Sequence, residues 1–302
     1  MIITRTPLRI SIGGGGTDLP SYSSRFGGFV ISAAIDLYVY ITVHRTFRPN
    51  YILKYSRVEE VDRVDQVQHP IIQQALRLHR IGPYIEIASM ADMPSGTGLG
   101  SSGSFTVGLL RGLYAHKREP VSAATLAEES CRIEIDLLGE PVGKQDQYVG
   151  AFGGLICMEF HRDGTVEVRP LRISRDVLHE LEDHLLMFFT GYSRRAGDVL
   201  QDQATRSQNS DPDMLENLHF TKELGRATQA ALEGGRTREY AEIMNAHWQR
   251  KRQRSPGMTS GEIDRLYEKA RANGALGGKL IGAGGASGPR RRRGGSRRRR
   301  HR

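Results

Sequence analysis

The sequence is poor in the features that mark secreted, membrane-spanning or zinc-binding proteins. It has two cysteines in 302 residues, Cys131 and Cys157, and no C-x-x-C pair, which argues against a disulfide framework and a zinc site. The apolar stretch from Phe29 to Val43 is interrupted by Asp36, and no run reaches the roughly 18 apolar residues of a membrane span. No basic segment with an apolar run and a cleavage site opens the sequence. We therefore expect a cytoplasmic protein with reduced thiols and no membrane partner.

Basic residues outnumber acidic residues, but the excess is confined to one end of the chain. The formal net charge is +9, from 43 Lys and Arg against 34 Asp and Glu, and nine arginines lie within the last seventeen residues. Without those nine arginines, basic and acidic residues are equal in number. The rest of the chain therefore lacks the basic character of a nucleic-acid-binding protein. Any nucleic-acid binding is expected to be non-specific and to depend on the arginine tail.

The hydrophobic pattern predicts two lobes, which a chain of this length can fill with a sizeable core. In the first lobe it predicts strands near 2–5, 8–12, 28–35, 37–46, 51–55, 84–90, 153–160 and 165–170, and helices near 70–80, 102–116 and 122–138. In the second lobe it predicts helices near 174–184, 195–208, 212–233, 236–253 and 259–272, and strands at 185–190 and 275–281. We assign residues 1–172 to an N-terminal lobe, 173–285 to a C-terminal lobe and 286–302 to an Arg/Gly-rich tail that is aberrant or disordered.

A glycine- and serine-rich loop between a predicted strand and a predicted helix carries the strongest chemical signal. It runs from Met93 to Ser104, directly before a helical apolar face that begins at Phe105. Glycines let backbone N–H groups approach an anion, and the positive end of a helix favours phosphate. The loop has neither the G-x-x-x-x-G-K-[ST] pattern of a Walker-type loop nor the G-x-G-x-x-G pattern of a dinucleotide site. A plain loop whose serines cap the helix uses the same residue types and remains the alternative.

This loop resembles the ATP loop of the GHMP kinases, which phosphorylate sugars, mevalonate and homoserine. Two other stretches, 7–18 and 134–147, resemble motifs of the same family, and the resemblance extends to Gly285. It implies an α/β (α+β two-lobe) fold with an N-lobe like ribosomal protein S5 domain 2 and a ferredoxin-like C-lobe. It also implies that the phosphates of ATP bind to Pro94, Gly96, Gly98, Leu99, Gly100, Ser101, Ser102 and Gly103.

Two carboxylates complete a set suited to phosphoryl transfer. Glu134 lies near the end of a predicted helix, and Asp146 follows twelve residues later in a glycine-flanked loop. Phosphoryl transfer to a hydroxyl needs Mg²⁺ on the phosphates and a carboxylate near the acceptor. The resemblance implies that Asp146 is the catalytic base or orients the hydroxyl, and that Glu134 and the Ser102 hydroxyl are metal ligands for Mg²⁺. An ordinary loop carboxylate and a solvated helix face remain the alternatives, with Glu128 and Glu129 as competing ligands.

The start of the chain contains Pro7-x-Arg9 and, after four glycines, Thr17-Asp18. The resemblance implies that Arg9 is catalytic, because its charge would support Asp146 and the transferring phosphate. Asp18 would accept hydrogen bonds from sugar hydroxyls. The expected substrate residues are Gly15, Gly16, Thr17, Asp18 and, after the predicted strand 185–190, Arg194. A surface arginine, an aspartate that ends a turn and a solvated loop are the respective alternatives for Arg9, Asp18 and Arg194.

The stretch from Gly277 to Gly285 resembles a further glycine-rich motif that lies beside the active site in this family. An apolar strand is expected to follow, but Ala286 begins a run that is mostly arginine and glycine. The tail is either a natural basic arm for anionic partners or the product of a shifted reading frame in a GC-rich gene. We favour the second explanation, because the break falls inside the motif and the rest of the chain is neutral. The C-terminal strand is then lost, and reduced stability or activity is expected.

Within the family, the stretches Thr4 to Ser11, Gly14 to Pro20 and Val142 to Tyr148 look most like the D-glycero-D-manno-heptose 7-phosphate kinases. This implies a phosphotransferase that uses ATP and Mg²⁺ to phosphorylate the anomeric hydroxyl of that sugar phosphate, giving the 1,7-bisphosphate. The expected partner is a small-molecule sugar phosphate, and a homo-oligomer is left open. The alternatives are a fucokinase-like or other GHMP sugar kinase, and a non-catalytic sensor that binds sugar and ATP.

Overall fold

The computed structural model describes residues 1–190, 197–255 and 257–284, and the strands in these ranges form one seven-stranded sheet. The strand order is β4-β3-β5-β2-β6-β7, with β1 paired to β2. Every pair is antiparallel except β3 and β5, which are parallel. The strands are β1 (Ile2–Gly13), β2 (Gly28–Arg45), β3 (Tyr51–Lys54), β4 (Val58–Val61), β5 (Ile85–Ala91), β6 (Leu155–Phe160) and β7 (Val166–Pro170).

The two long strands β1 and β2 form the centre of the sheet. The sequence predicts that each of them is interrupted, β1 at 6–7 and β2 at 36. In the structure both strands are continuous, and only the register of their pairing changes there. Pro7 pairs with Tyr38 and Arg9 pairs with Ala34, so the register shifts between the two pairs. A bulge of this kind tolerates a proline and re-aims the side chains next to it. Arg9 directly follows this bulge.

Five helices accompany the sheet in the first part of the chain. They are α1 (Pro20–Phe26), α2 (Pro70–Leu78), α3 (Ser101–Lys117), α4 (Ala123–Cys131) and α5 (Gln145–Phe152). Helix α3 packs most centrally, and its Leu109, Leu110 and Leu113 are completely buried. The helix predicted over 122–138 is α-helical only as far as Cys131, and residues 132–137 continue it as a π-helical turn.

Helices make up the regular structure described after residue 172, as predicted for most of this part of the chain. They are α6 (Arg175–His184), α7 (Gly197–Gln208), α8 (Pro212–Glu233), α9 (Thr237–Lys251) and α10 (Gly261–Ala272). Ser174, Asp211 and Ser260 cap the first turns of α6, α8 and α10 through their side chains. Helices α8 and α9 pack on β1 and β2 through a cluster that includes Phe29, Ile31 and Leu232.

The strands predicted at 185–190 and 275–281 are not formed, so this part of the prediction was wrong. Residues 185–190 form no regular secondary structure, and the side chains of Leu186 and Phe188 are 77% and 76% exposed. Apolar composition alone does not make a strand, because its backbone groups need a neighbouring strand to bond with. The described residues after 172 therefore contain no sheet of the ferredoxin-like kind.

None of the described helices is both long and apolar enough to cross a membrane. The tail, 286–302, lies outside the described residues.

Candidate active site

Arg9 connects three elements that the sequence places far apart. Its side chain is 8% exposed, and its Nε donates to Asp146 Oδ1 at 2.7 Å. Its Nη1 donates to the carbonyl oxygen of Gly98 at 2.6 Å. The backbone N–H of Arg9 donates to the carbonyl of Leu99 at 3.0 Å. One arginine on β1 therefore holds both the glycine-rich loop and the first turn of α5, where Asp146 lies.

Asp146 keeps one oxygen available for a ligand. Its Oδ1 accepts from Arg9, and Gln145 Nε2 lies 3.4 Å from the same oxygen. Among the described residues, Oδ2 has no hydrogen-bond partner, and the side chain is 29% exposed. A carboxylate with one oxygen fixed and the other open can accept a hydrogen bond from a hydroxyl.

The glycine-rich loop adopts a conformation that depends on its glycines. Gly96, Gly98 and Gly100 have φ angles of 79°, 80° and 76°, which residues other than glycine rarely adopt. Gly100 occupies the N-cap of α3, and no side chain caps the helix, so the alternative of a serine-capped loop is not what forms. The Ser104 hydroxyl instead donates to the carbonyl of Pro7 at 2.7 Å. The uncapped start of α3 suits an anion.

The glycine motif at 277–285 meets this loop. A Cβ atom at Gly98 would lie 2.9 Å from the carbonyl oxygen of Ile281, and one at Gly282 would lie 2.6 Å from the Cα of Gly98. Two glycine backbones therefore pack directly on each other. The described residues of this motif therefore lie against the glycine-rich loop at 93–104.

Ser102 and Glu134 are brought together at the start of α3. The Ser102 hydroxyl donates to Glu134 Oε2 at 2.6 Å, and Gln147 Nε2 donates to Oε1 at 3.1 Å. Glu134 is 2% exposed, and burial raises the pKa of its carboxyl, while the bonds from Ser102, Gln147 and Thr106 oppose that rise. The π-helical turn at 132–137 sets the position of Glu134, and such turns are frequent at functional sites.

Glu128 and Glu129, the two other glutamates considered as metal ligands, bond to side chains away from Ser102. Glu128 bonds with Lys144 at 3.0 Å and with the hydroxyl of Tyr148. Glu129 accepts from the hydroxyl of Tyr114 at 2.8 Å. Only Glu134, of the three glutamates weighed from the sequence, therefore lies against the start of α3.

The residues present suit a magnesium ion shared with a substrate. No group of three or more His, Cys, Asp or Glu in the described ranges could hold a metal ion by itself. Ser102 and Glu134 provide a hydroxyl and a carboxylate, both hard oxygen ligands, and Glu134 is a buried acid that a cation would stabilise. Mg²⁺ commonly binds through one or two protein oxygens together with phosphate oxygens, so this pair fits the ion.

Asp18 is more deeply embedded than a simple sugar contact requires. It is 7% exposed, its Oδ1 accepts from the N–H of Gly16 at 3.1 Å, and its Oδ2 accepts from the N–H of Gln145 at 3.1 Å. Burial raises the pKa of its carboxyl, the charge of Asp146 raises it further, and these N–H groups lower it. Asp18 therefore links the glycine loop at 13–16 to the first turn of α5.

Thr17 does not offer its hydroxyl to a ligand. The residue is completely buried, and Oγ1 lies 2.9 Å from the carbonyl of Gly14, 3.0 Å from the carbonyl of Phe29 and 3.0 Å from the N–H of Phe29. The geometry gives Thr17 a role in holding the loop. Gly15 and Gly16 are half-buried beside it. Arg194 lies outside the described residues, so its predicted contact stays a prediction.

Two cations from the second lobe reach this loop, and the sequence analysis assigned no role to either. Arg254 is 3% exposed and donates to the carbonyl of Gly15 at 3.2 Å, and Lys279 donates to the carbonyl of Ile12 at 2.7 Å. Arg254 lies in the run Lys251-Arg252-Gln253-Arg254, which has the composition of a solvated surface and gives no signal of burial. Lys279 lies within the glycine-rich stretch 277–285, whose glycines carry the family resemblance and give no separate signal for the lysine.

Comparison of the sequence with known protein families finds a match in each of the two lobes. Residues 70–154 match the GHMP kinases N terminal domain, and residues 228–287 match the GHMP kinases C terminal domain. The chain is 30% identical over 298 residues to the D-glycero-alpha-D-manno-heptose 7-phosphate kinase of Campylobacter jejuni, covering 94% of this chain and 86% of that protein. It is 26% identical to the bifunctional fucokinase/GDP-fucose pyrophosphorylase of Arabidopsis thaliana, over 92% of this chain and 28% of that protein.

A solved structure supports the same relationship. A crystal structure of a D-glycero-D-manno-heptose 1-phosphate kinase from Bacteroides thetaiotaomicron superimposes with a TM-score of 0.76 at 27% identity, covering 94% of this chain and 86% of that one. The mixed α/β two-lobe fold class is thereby confirmed.

Proposed function

The chain belongs to the GHMP kinases, which use ATP as phosphoryl donor and an alcohol as acceptor, and on this premise we propose a substrate and a mechanism. We propose that the acceptor is D-glycero-D-manno-heptose 7-phosphate, and that the anomeric hydroxyl is phosphorylated to give the 1,7-bisphosphate. The name of the Campylobacter jejuni relative supports this sugar. We also keep 1–172 and 173–285 as the two lobes, because the matched domains fall on either side of residue 172.

The observation that carries the catalytic proposal is the open oxygen of Asp146 beside the start of α3. The backbone N–H groups that follow Pro94, at 95–103, would bind the phosphates of ATP. The acceptor hydroxyl would donate to Asp146 Oδ2, and its oxygen would attack the γ-phosphorus as the bond to the ADP oxygen breaks. The proton would pass to Asp146, and the electron pair of the broken bond would leave with ADP.

Arg9 would hold this arrangement and balance its charge. Its Nε fixes Asp146 Oδ1, and its Nη1 fixes the loop carbonyl at Gly98, so acceptor and donor sites share one cation. Fixed donors near developing charge lower the barrier because they need no reorganisation during the reaction. Ser102 and Glu134 would hold Mg²⁺, which supplies charge neutralisation on the phosphates when bound.

The function is tested by ADP release with Mg²⁺, ATP and five acceptors offered separately. These are D-glycero-D-manno-heptose 7-phosphate, the corresponding 1-phosphate, L-fucose, galactose and mevalonate. We expect turnover with the 7-phosphate, and a product with two phosphate monoesters by phosphorus NMR. The names of the relatives differ in the position of the phosphate, so turnover with the 1-phosphate alone would refute the anomeric assignment. Turnover with L-fucose alone would favour the fucokinase-like alternative.

Asp146→Asn tests the catalytic assignment and separates a kinase from a sensor. We expect kcat to fall by about 100- to 10,000-fold, the range for loss of a positioned general base, with ATP affinity within a few-fold of wild type. Asp136→Asn is the matched control, because Asp136 is an exposed acid in the π-helical turn. Full turnover by Asp146→Asn would remove Asp146 from the mechanism. Binding of sugar and ATP by wild type without ADP release would favour the sensor.

A further inference from the structure

Two cations from the second lobe, Lys279 and Arg254, flank the glycine loop without an acidic partner. Lys279 is partly buried, and its Nζ donates to the carbonyl of Ile12 at 2.7 Å. Arg254 is buried, and its three hydrogen bonds go to Asn217 Oδ1, Thr221 Oγ1 and the carbonyl of Gly15. In the described part of the chain, no carboxylate lies within ion-pair distance of either cation. Sequestered charges usually have a partner, so this pair indicates a missing anion.

Two other cations, Arg254 and Arg9, lie close enough for their charges to act on Lys279. Burial, together with the charges of Arg254 and Arg9, lowers the pKa of Lys279 to about 7. His247 faces the same group, and burial together with the three cations Lys279, Arg254 and Lys251 keeps the imidazole neutral at pH 7. Arg9 is already matched by Asp146, whereas Asp18 is the carboxylate whose charge acts on Arg254. Of these three cations, Lys279 is the one on which no described carboxylate acts, so one anion beside it would complete the charge balance at the loop.

The position of the pair points to the acceptor rather than to ATP. Lys279 lies against the carbonyl of Ile12, and Arg254 lies against the carbonyl of Gly15, so both border the loop at 13–16. This loop leads into Asp18, which is bonded to the turn that carries Asp146. A phosphate bound at Lys279 would therefore lie beside the loop that Asp18 connects to the turn carrying Asp146, where the acceptor hydroxyl is proposed to bind.

We propose that Lys279, supported by the charge of Arg254 behind the glycine loop, forms a subsite for the phosphate monoester of the acceptor sugar. The inference rests on the proposed function and deepens it, because it explains how a phosphorylated heptose is preferred over a free sugar. Lys279 would contact the phosphate directly. Arg254 is too deeply buried for contact and would act through its charge and its hold on the loop.

The test is calorimetric binding of D-glycero-D-manno-heptose 7-phosphate, and of the same heptose without phosphate, in the absence of ATP. Lys279→Met should weaken binding of the phosphorylated sugar about 10- to 100-fold, the range for one hydrogen bond to a charged group. Binding of the free heptose should stay within twofold. Lys279→Arg should recover most of the affinity. Lys222→Met is the matched control, because Lys222 is also partly buried and donates to one carbonyl, that of Phe26, at 3.0 Å.

Each outcome decides between named explanations. Equal weakening with both sugars, or no weakening with either, would overturn the subsite. A second phosphate source, the γ-phosphate of ATP, is checked with a non-hydrolysable ATP analogue and ADP. If Lys279→Met weakens binding of the ATP analogue but leaves binding of the sugar phosphate unchanged, the assignment of Lys279 to the acceptor is overturned. If wild type binds the sugar phosphate through Lys279 but releases no ADP, the proposed function fails and the subsite stands. If Lys279→Met turns over the sugar phosphate with unchanged KM, the subsite fails and the function stands.

Discussion

Gly103 sets the distance between the start of α3 and Asp146, the proposed catalytic carboxylate, and Gly103→Ala tests how closely that distance must be kept. A Cβ at position 103 would lie 2.7 Å from the Cβ of Asp146, 3.0 Å from its carbonyl carbon and 3.0 Å from the backbone nitrogen of Gln147. Two of these atoms are backbone, so a side-chain rotation cannot relieve the contact. Reaching ordinary van der Waals distance requires α3 and α5 to separate by roughly 0.7 Å, and a misplacement near 1 Å can cost about 100-fold in rate.

We expect Gly103→Ala to lower kcat by about 10- to 100-fold and to lower the free energy of unfolding by about 1–3 kcal/mol, as overpacking does. Gly112→Ala in the same helix is the control. Its Cβ would also make a close contact, 2.9 Å from Val43 Cγ2, but with a side chain of β2 and not with Asp146. Steady-state kinetics and urea unfolding of both variants separate the two effects. An unchanged kcat for Gly103→Ala, or an equal loss of kcat for both variants, would refute the reasoning.

Two further predictions concern buried titratable groups. Glu134→Gln should raise the Mg²⁺ concentration for half-maximal activity about tenfold or more, yet leave the melting temperature unchanged or higher, because a buried charge is removed while an amide can still bond with Ser102 and Gln147. An unchanged Mg²⁺ requirement would exclude Glu134 as a ligand. Burial holds the pKa of His247 well below its ordinary 6.5, so the unfolded chain binds a proton that the folded chain excludes. Stability should therefore fall by about 1 kcal/mol between pH 6.5 and 5.5, and His247→Asn should lack that part of the fall in urea unfolding. An identical pH dependence in both proteins would contradict this. The positive charges of Lys279, Arg254 and Lys251 also lower the pKa of His247.

The elements of the first lobe could be predicted from sequence because their signals are local. Apolar residues of α3 recur with helical spacing, and the glycines before it mark a turn, so the strand, loop and helix near 84–117 form close to where they were placed. The continuity of β1 and β2 was missed, since Pro7 and Asp36 normally interrupt a strand. A bulge accommodates them here, and bulges depend on the pairing of two strands rather than on one sequence.

The site was partly predictable for a related reason. Pairing Arg9 with Asp146 and Ser102 with Glu134 followed from motifs that resemble a known family. The roles of Thr17 and Asp18 needed the structure, since their side chains bond to backbone groups that only the folded chain brings near them. Arg254 could not have been found, because nothing in a basic run shows that one of its arginines is buried against a loop 239 residues away.

Strand β1 organises the site from both lobes. Its Pro7 carbonyl accepts from the Ser104 hydroxyl, and its Arg9 holds both the phosphate loop and Asp146. At its other end the carbonyl of Ile12 accepts from Lys279. The second lobe therefore reaches the described site through Lys279, Arg254 and the glycine contact at Gly98, and residues 185–190 take no part in these contacts. A site anchored in this way depends on β1 and the helices packed on it, so the absence of a strand at 185–190 removes none of the hydrogen bonds that position Asp146.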